Sequence, residues 1–285
     1  MMSFSPNLMA SATLFGVLVS SSVTSWNLPN GTVEFDGPLI VKAAPMSLNN
    51  PELLGSGGGG AVFSMTPSSS NGKEHGVVPV AVKVSWVNSA RSVRNECAIL
   101  KVLKANNVRG VESCIASDEY PSDSRRALIV LEPVVSEEST SSIGDLVRKD
   151  LQITAAEQLM VTMIDMLYAK VATTDVQPLI STQTGSVLLI DMTEAKELLS
   201  SPMSYEEQAL TASFCNEIMA LIPEDLLPVA SSVVLRELQH HDNPLPTDLA
   251  SILKSMSCFS DELLAFLENS EVDDSNWGGP GSLGS

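Results

Sequence analysis

Gly55-Ser56-Gly57-Gly58-Gly59-Gly60-Ala61-Val62, followed after a polar insert by Val80-Ala81-Val82-Lys83, is the stretch on which the fold turns. Glycine has no Cβ, so a run of it lets a backbone approach another group closely and bend where other residues resist. Apolar residues flank the run, Val62 and Phe63 on one side and Val77 to Val84 on the other, as in two strands of a hairpin whose tip is Met65 to Gly76. A second reading is open, because four consecutive glycines followed by Ser68-Ser69-Ser70-Asn71-Gly72 also have the composition of a flexible linker. The order of the downstream segments separates the two.

Gly55, Gly57, Gly60 and Val62 fill the pattern G-x-G-x-x-G-x-V, and Val80 to Lys83 match V-A-I-K with Val in place of Ile. Together these segments resemble the nucleotide-binding half of a protein kinase, and plastid kinase-like proteins of plants and algae in particular. The resemblance implies an α+β, two-lobed fold with a small β-rich first lobe and a reduced, mainly helical second lobe. It also implies ATP, its phosphates met by the glycine backbone and by the strand-borne Lys83. Arg94 to Leu103 reads as an amphipathic helix whose Glu96 would pair with Lys83, although a lone glutamate on a helix is more often solvated. Arg126 to Val134 looks like a buried strand entering the hinge between lobes. Leu131 would then guard the pocket, and the backbone from Glu132 to Val134 would meet the adenine edge.

The catalytic region departs from the family. After an apolar-periodic helix over Ala155 to Ala169, Thr173 to Ile180 set against H-R-D-x-x-x-x-N keeps only the aspartate, Asp175. Asp175 is the candidate base and, with Lys83, the candidate catalytic pair. Thr173 and Thr174 stand at the His and Arg positions, and Ile180, which cannot coordinate magnesium, stands at the Asn position. Val187 to Ala195 resembles the strand ending in D-F-G, with Met192 and Thr193 for Phe and Gly, which makes Asp191 the candidate metal ligand. Plainer readings exist for both aspartates: Asp175 as a turn residue ahead of Pro178, and Asp191 as a helix cap with Glu194. The implied cofactors are ATP and Mg²⁺. Two functions compete: transfer of the ATP γ-phosphate to a protein hydroxyl, or a pseudokinase acting as regulatory or structural subunit of a larger assembly.

At 285 residues and 44% hydrophobic content the chain can bury a full core. It divides into a leader or disordered segment at 1–33, a first lobe at 34–130, an acidic helical lobe at 131–268 and a flexible tail at 269–285. Helices are expected over Glu206 to Leu221, Pro228 to Gln239 and Asp248 to Leu267. Charge divides at the proposed hinge, with 10 basic and 9 acidic side chains before residue 131 and 6 against 25 after it. Such acidity repels nucleic acid and anionic membranes and favours a basic protein substrate or assembly. Ahead of Glu34, the first charged residue, the Ala10 to Val23 stretch resembles a short signal segment, too short to span a bilayer. The Ser-then-aromatic junction before Trp26 resembles plastid leaders of algae, so plastid is the expected location, with cytoplasm the alternative. Cys97, Cys114, Cys215 and Cys258 are widely spaced and read as buried thiols of a reducing compartment.

Overall fold

A computed structural model of the chain describes residues 23–68, 78–132, 138–241, 245–256 and 259–269. The strands β1 (Val23–Leu28) and β2 (Gly31–Asp36) form a hairpin. Then β3 (Leu39–Val41), β4 (Met46–Ser56), β5 (Gly60–Pro67), β6 (Val80–Ser85), β7 (Cys114–Glu119) and β8 (Ala127–Leu131) make an antiparallel sheet in the order β3-β4-β5-β6-β8-β7. Helix α1 (Ala90–Ala105) leaves β6 and packs on β7 and β8. The strands β9 (Ser139–Thr140), β11 (Gln177–Ser181) and β12 (Val187–Ile190) form a small sheet, while β10 (Val171–Ala172) pairs with β13 (Lys196–Glu197). Around them lie α2 (Lys149–Tyr168), α3 (Tyr205–Ala220), α4 (Leu227–His240), α5 (Thr247–Ser255) and α6 (Asp261–Asn269). The chain is thus mixed α+β, as its motifs led one to expect.

Strand periodicity explains where the cores lie. Successive side chains of a strand point to opposite faces. On β6, Val80, Val82 and Val84 join Val33, Phe35 and Phe63 in a core shared with the β1–β2 hairpin, whereas Ala81 belongs to the core under α1. On β8, Leu128 and Val130 take the hairpin side, and Ala127, Ile129 and Leu131 take the α1 side. Lys83 alternates with the valines and therefore shares the α1 face, across the ladder from Ile129. Its burial follows from its register.

The hairpin core is aromatic, with Phe63 edge-on to Trp26 at 4.9 Å and to Phe35 at 5.1 Å. Arg126 fastens it to the sheet: its guanidinium lies over the Trp86 and Tyr120 rings and donates to the Ser85 and Thr32 carbonyls. In the other core α2, buried through Leu159, Met160, Met163 and Leu167, packs against α3 and α4. Helix α3 starts on a capping box between Ser204 and Glu207. A parallel bridge between Val111 and Leu189 ties the segment after α1 to β12.

Three expectations need adjusting. The single helix expected over Asp248 to Leu267 is two, because a break follows Ser255 and the Ser260 hydroxyl accepts from the Leu263 N–H to start α6. The β1–β2 hairpin begins at Val23, inside the segment read as leader or disordered, whose first 22 residues lie outside the described ones. Cys97 and Cys114 are not separate thiols: α1 turns Cys97 onto the start of β7, where the two form a disulfide with Cα atoms 5.3 Å apart. Cys215 is a buried free thiol, and Cys258 lies outside the described residues.

No single helix among the described residues is long and apolar enough to cross a membrane. The bent pair Tyr205–Ala220 and Glu224–His240 reaches that length and composition only together, across a 103° angle, and it packs in the core through Phe214, Ile218, Val233 and Val234.

Candidate functional site

The turn from β4 to β5 forms the roof of a cavity of about 290 Å³. Leu54, Val62, Ala81, Leu131 and Ile190 line its apolar part, and Lys83, Glu96, Glu112, Gln177 and Asp191 its polar end. A flat apolar ligand face and a charged ligand end would each find a matching wall.

The glycine run divides into two physical roles. A Cβ on Gly60 would lie 2.3 Å from the Val84 carbonyl oxygen, so this glycine is required by the contact of β5 with β6. A Cβ on Gly59 would stand 3.8 Å from the Lys83 Cε, above the lysine, while Gly55, Gly57 and Gly58 face open space. The turn is held by its carbonyls. Trp86 donates its indole N–H to Gly57 O at 2.7 Å and its backbone N–H to Gly59 O at 3.2 Å, and Ser89 Oγ donates to Gly58 O at 3.2 Å. Among the described residues the N–H groups of Gly58 and Gly59 have no partner. Unpaired N–H groups on a glycine turn are the arrangement that accepts a phosphate.

Beneath the turn, Lys83 Nζ lies 3.1 and 2.8 Å from the two Glu96 carboxylate oxygens and 2.7 Å from Asp191 Oδ1. Lys83 is 4% exposed and Glu96 fully buried, whereas the Asp191 side chain remains 29% exposed towards the cavity. Asp191 directly follows β12 in the left-handed region, with φ 57°, an uncommon conformation for a residue with a side chain. Glu112 secures it, accepting from the Asp191 N–H at 2.8 Å, while the Thr193 hydroxyl donates to Asp191 Oδ1.

Three carboxylates therefore surround one buried lysine. Burial disfavours the Lys83 charge, but Glu96 and Asp191 outweigh it and hold the pKa above the ordinary lysine value. Burial pushes Glu96 up to about 7 against the pull of Lys83. Burial, then the nearby Glu96, pushes Glu112 up to about 8, so the cluster keeps a proton at neutral pH. For Asp191 burial raises the pKa, but the Lys83 charge and the hydrogen bonds from Lys83 and Thr193 together more than offset it, leaving the carboxyl below its usual range.

The structure brings together Gly55, Gly57, Gly60, Val62, Lys83, Glu96 and Asp191 from the sequence-predicted set. Others stand apart. Glu132 is exposed and outside the cavity lining; its N–H donates to Ser113 O at 2.8 Å and its carboxylate accepts from Lys104. Val134 lies outside the described residues. Asp175 is next to the cavity rather than in its lining: its Oδ2 accepts from Gln177 Nε2 at 2.7 Å, and Gln177 is the lining residue.

Ile180 is fully buried in β11, paired with Val187 and Thr140, and does not face the cavity. The position matched by its spacing from Asp175 to the kinase Asn therefore lies inside β11, which begins at Gln177. Gln177 pairs with Ile190, the neighbour of Asp191, and is the polar residue of β11 that lines the cavity. Glu112 and Gln177 were not expected from the sequence. A charged residue two before Cys114 carries no motif, and only the β11–β12 register distinguishes Gln177.

No protein-family model and no curated protein sequence matches the chain.

Proposed function

We propose that the chain is a nucleotide-binding domain of protein-kinase-like, two-lobed build, taking ATP in the cavity between β4–β5 and Asp191. The observation that carries this reading is the convergence of Lys83, Glu96 and Asp191 below a glycine turn with unpaired N–H groups. The apolar wall of Leu54, Val62, Ala81 and Leu131 suits a purine, and Lys83 with the N–H groups of Gly58 and Gly59 suits its phosphates.

The residues also fit one Mg²⁺ shared with the ligand. No group of three or more metal-binding side chains occurs among the described residues, but magnesium is commonly held by one or two carboxylates and the phosphates themselves. Asp191 supplies the carboxylate, and Gln177 offers an amide beside it. When bound, the metal would neutralise phosphate charge.

Phosphoryl transfer to a protein hydroxyl requires a base, and Asp175 is the residue for it. Gln177 orients the carboxylate through Oδ2, which leaves Oδ1 without a partner among the described residues and able to accept the hydroxyl proton. The acidic second half favours a basic protein as substrate or partner. A second reading, a nucleotide-binding subunit without turnover, is favoured by Asp175, which lies outside the cavity lining and is hydrogen-bonded to Gln177.

Thermal denaturation with ATP, with and without magnesium, tests binding. A ligand confined to the folded state stabilises it by about 2.7 kcal/mol at a hundredfold excess over Kd. An upward shift with ATP supports the proposal, and an unchanged midpoint at millimolar ATP rejects it.

A further inference from the structure

Neither the cavity nor the proposed binding mode uses the Cys97–Cys114 disulfide, yet each of its cysteines lies within two residues of a carboxylate of the polar cluster. Cys97 follows Glu96 directly on α1, and Cys114 opens β7 two residues after Glu112. Glu96 grips Lys83, and Glu112 holds the N–H of Asp191. The bridge thus fastens the carrier of one carboxylate to the carrier of the other. The remaining polar ties of α1 to its surroundings include Asn95 to the Ala195 carbonyl at 3.3 Å and an exposed pair between Lys104 and Glu132.

A buried ion pair compensates the desolvation of its charges only while its geometry is held. Glu96 is fully buried and its carboxyl is already pushed upward by burial, so a small outward movement of α1 would leave it better solvated and poorly paired. Anything that fixes α1 on β7 therefore fixes the Lys83 site. We infer that Cys97–Cys114 is a site of thiol–disulfide exchange with a dithiol reductant, and that its oxidised form holds α1, with Glu96, in the ligand-ready position.

The exchange balances without another reactant. A thiolate of the dithiol attacks one sulfur, the other leaves as thiolate, and the second thiol resolves the mixed disulfide. Two electrons and two protons pass to Cys97 and Cys114, and the dithiol leaves as a disulfide. Both cysteines are buried, at 2% and 5% exposure, so attack follows local opening of α1. A ligand that holds α1 closed must then protect the bridge, since coupling between two sites is reciprocal.

The effect on ligand affinity rests on the nucleotide proposal, and the effect on α1 does not. The test uses the full chain, oxidised or reduced with dithiothreitol, and the Cys97→Ser variant, with Cys215→Ser as control. Hydrogen exchange across residues 90–105 is read alongside the affinity of a non-hydrolysable ATP analogue. Reduction and Cys97→Ser should each speed α1 exchange and weaken the analogue by about fivefold or more, the low end of coupling between sites. Should Cys97→Ser fail to fold, reduction of the wild-type chain supplies the same comparison. Two free thiols at these positions after mild oxidation would overturn the inference, as would equal α1 exchange in both states. Faster exchange with unchanged analogue affinity would overturn the control of the site. Faster exchange in a chain that binds the analogue in neither state would refute the nucleotide proposal and leave the fastening in place.

Discussion

Replacing Ile180 with Asn separates the structure from the linear motif most sharply. Read along the sequence, Ile180→Asn restores a lost metal ligand. Read in the fold, it places an amide at a fully buried position of β11, between β9 and β12. Losing the buried aliphatic side chain costs about 2–5 kcal/mol if little of the space is refilled. An amide without a partner adds about 1–3 kcal/mol, and its greater bulk than alanine offsets part of the cavity term. A net loss of about 3–5 kcal/mol is expected, a large share of the ~5–15 kcal/mol that holds a domain folded. Urea unfolding should show a markedly lower midpoint at an unchanged slope, with no gain in magnesium-dependent ATP binding. A variant with wild-type midpoint and new magnesium dependence would refute the β11 register and return Ile180 to the cavity.

The same geometry sets the outcome of other substitutions. Gly60→Ala should destabilise the fold by about 1–3 kcal/mol because its Cβ meets the Val84 backbone, whereas Gly57→Ala, facing open space, should stay within about 0.5 kcal/mol by the same unfolding measurement. Glu112, with a folded pKa near 8 against an ordinary carboxylate value, binds its proton more tightly in the folded state. Its contribution is therefore full below the ordinary carboxylate range and is lost as pH rises towards about 8. Melting temperatures from pH 5 to 9 should fall less steeply for Glu112→Gln than for wild type, and parallel curves would reject the assignment. If the chain transfers phosphoryl groups, Asp175→Asn should abolish turnover in a radiolabel assay and leave ATP affinity nearly unchanged, since the base acts on the acceptor hydroxyl.

The glycine turn, Lys83, Glu96 and Asp191 were legible in the sequence because their chemistry depends on residue type and chain order, both of which a sequence displays. Val80 to Lys83 read as a strand bearing the lysine, and the alternation of β6 puts Lys83 on the face opposite the valines. What was not legible depends on register and on contacts between distant segments. Gln177 lines the cavity only because β11 pairs with β12 from Gln177↔Ile190 onward, which no count from Asp175 reveals. Glu112 owes its place to the parallel bridge between Val111 and Leu189, and an isolated glutamate there looks like any surface charge. Cys97 and Cys114, 17 residues apart on a helix and a strand, meet only once α1 is packed. That the Glu132 N–H is taken by the Ser113 carbonyl was equally invisible in the sequence.

The direct test of a nucleotide site at Lys83 is calorimetric titration of a non-hydrolysable ATP analogue, with magnesium, into the wild-type chain and Lys83→Met, each first shown to unfold cooperatively. The structure predicts saturable one-site binding to wild type, weakened at least about tenfold by Lys83→Met, since a hydrogen bond to a charged group contributes ~1.5–3 kcal/mol. Absence of binding to the wild-type chain, or equal affinity in a folded Lys83→Met protein, would contradict it.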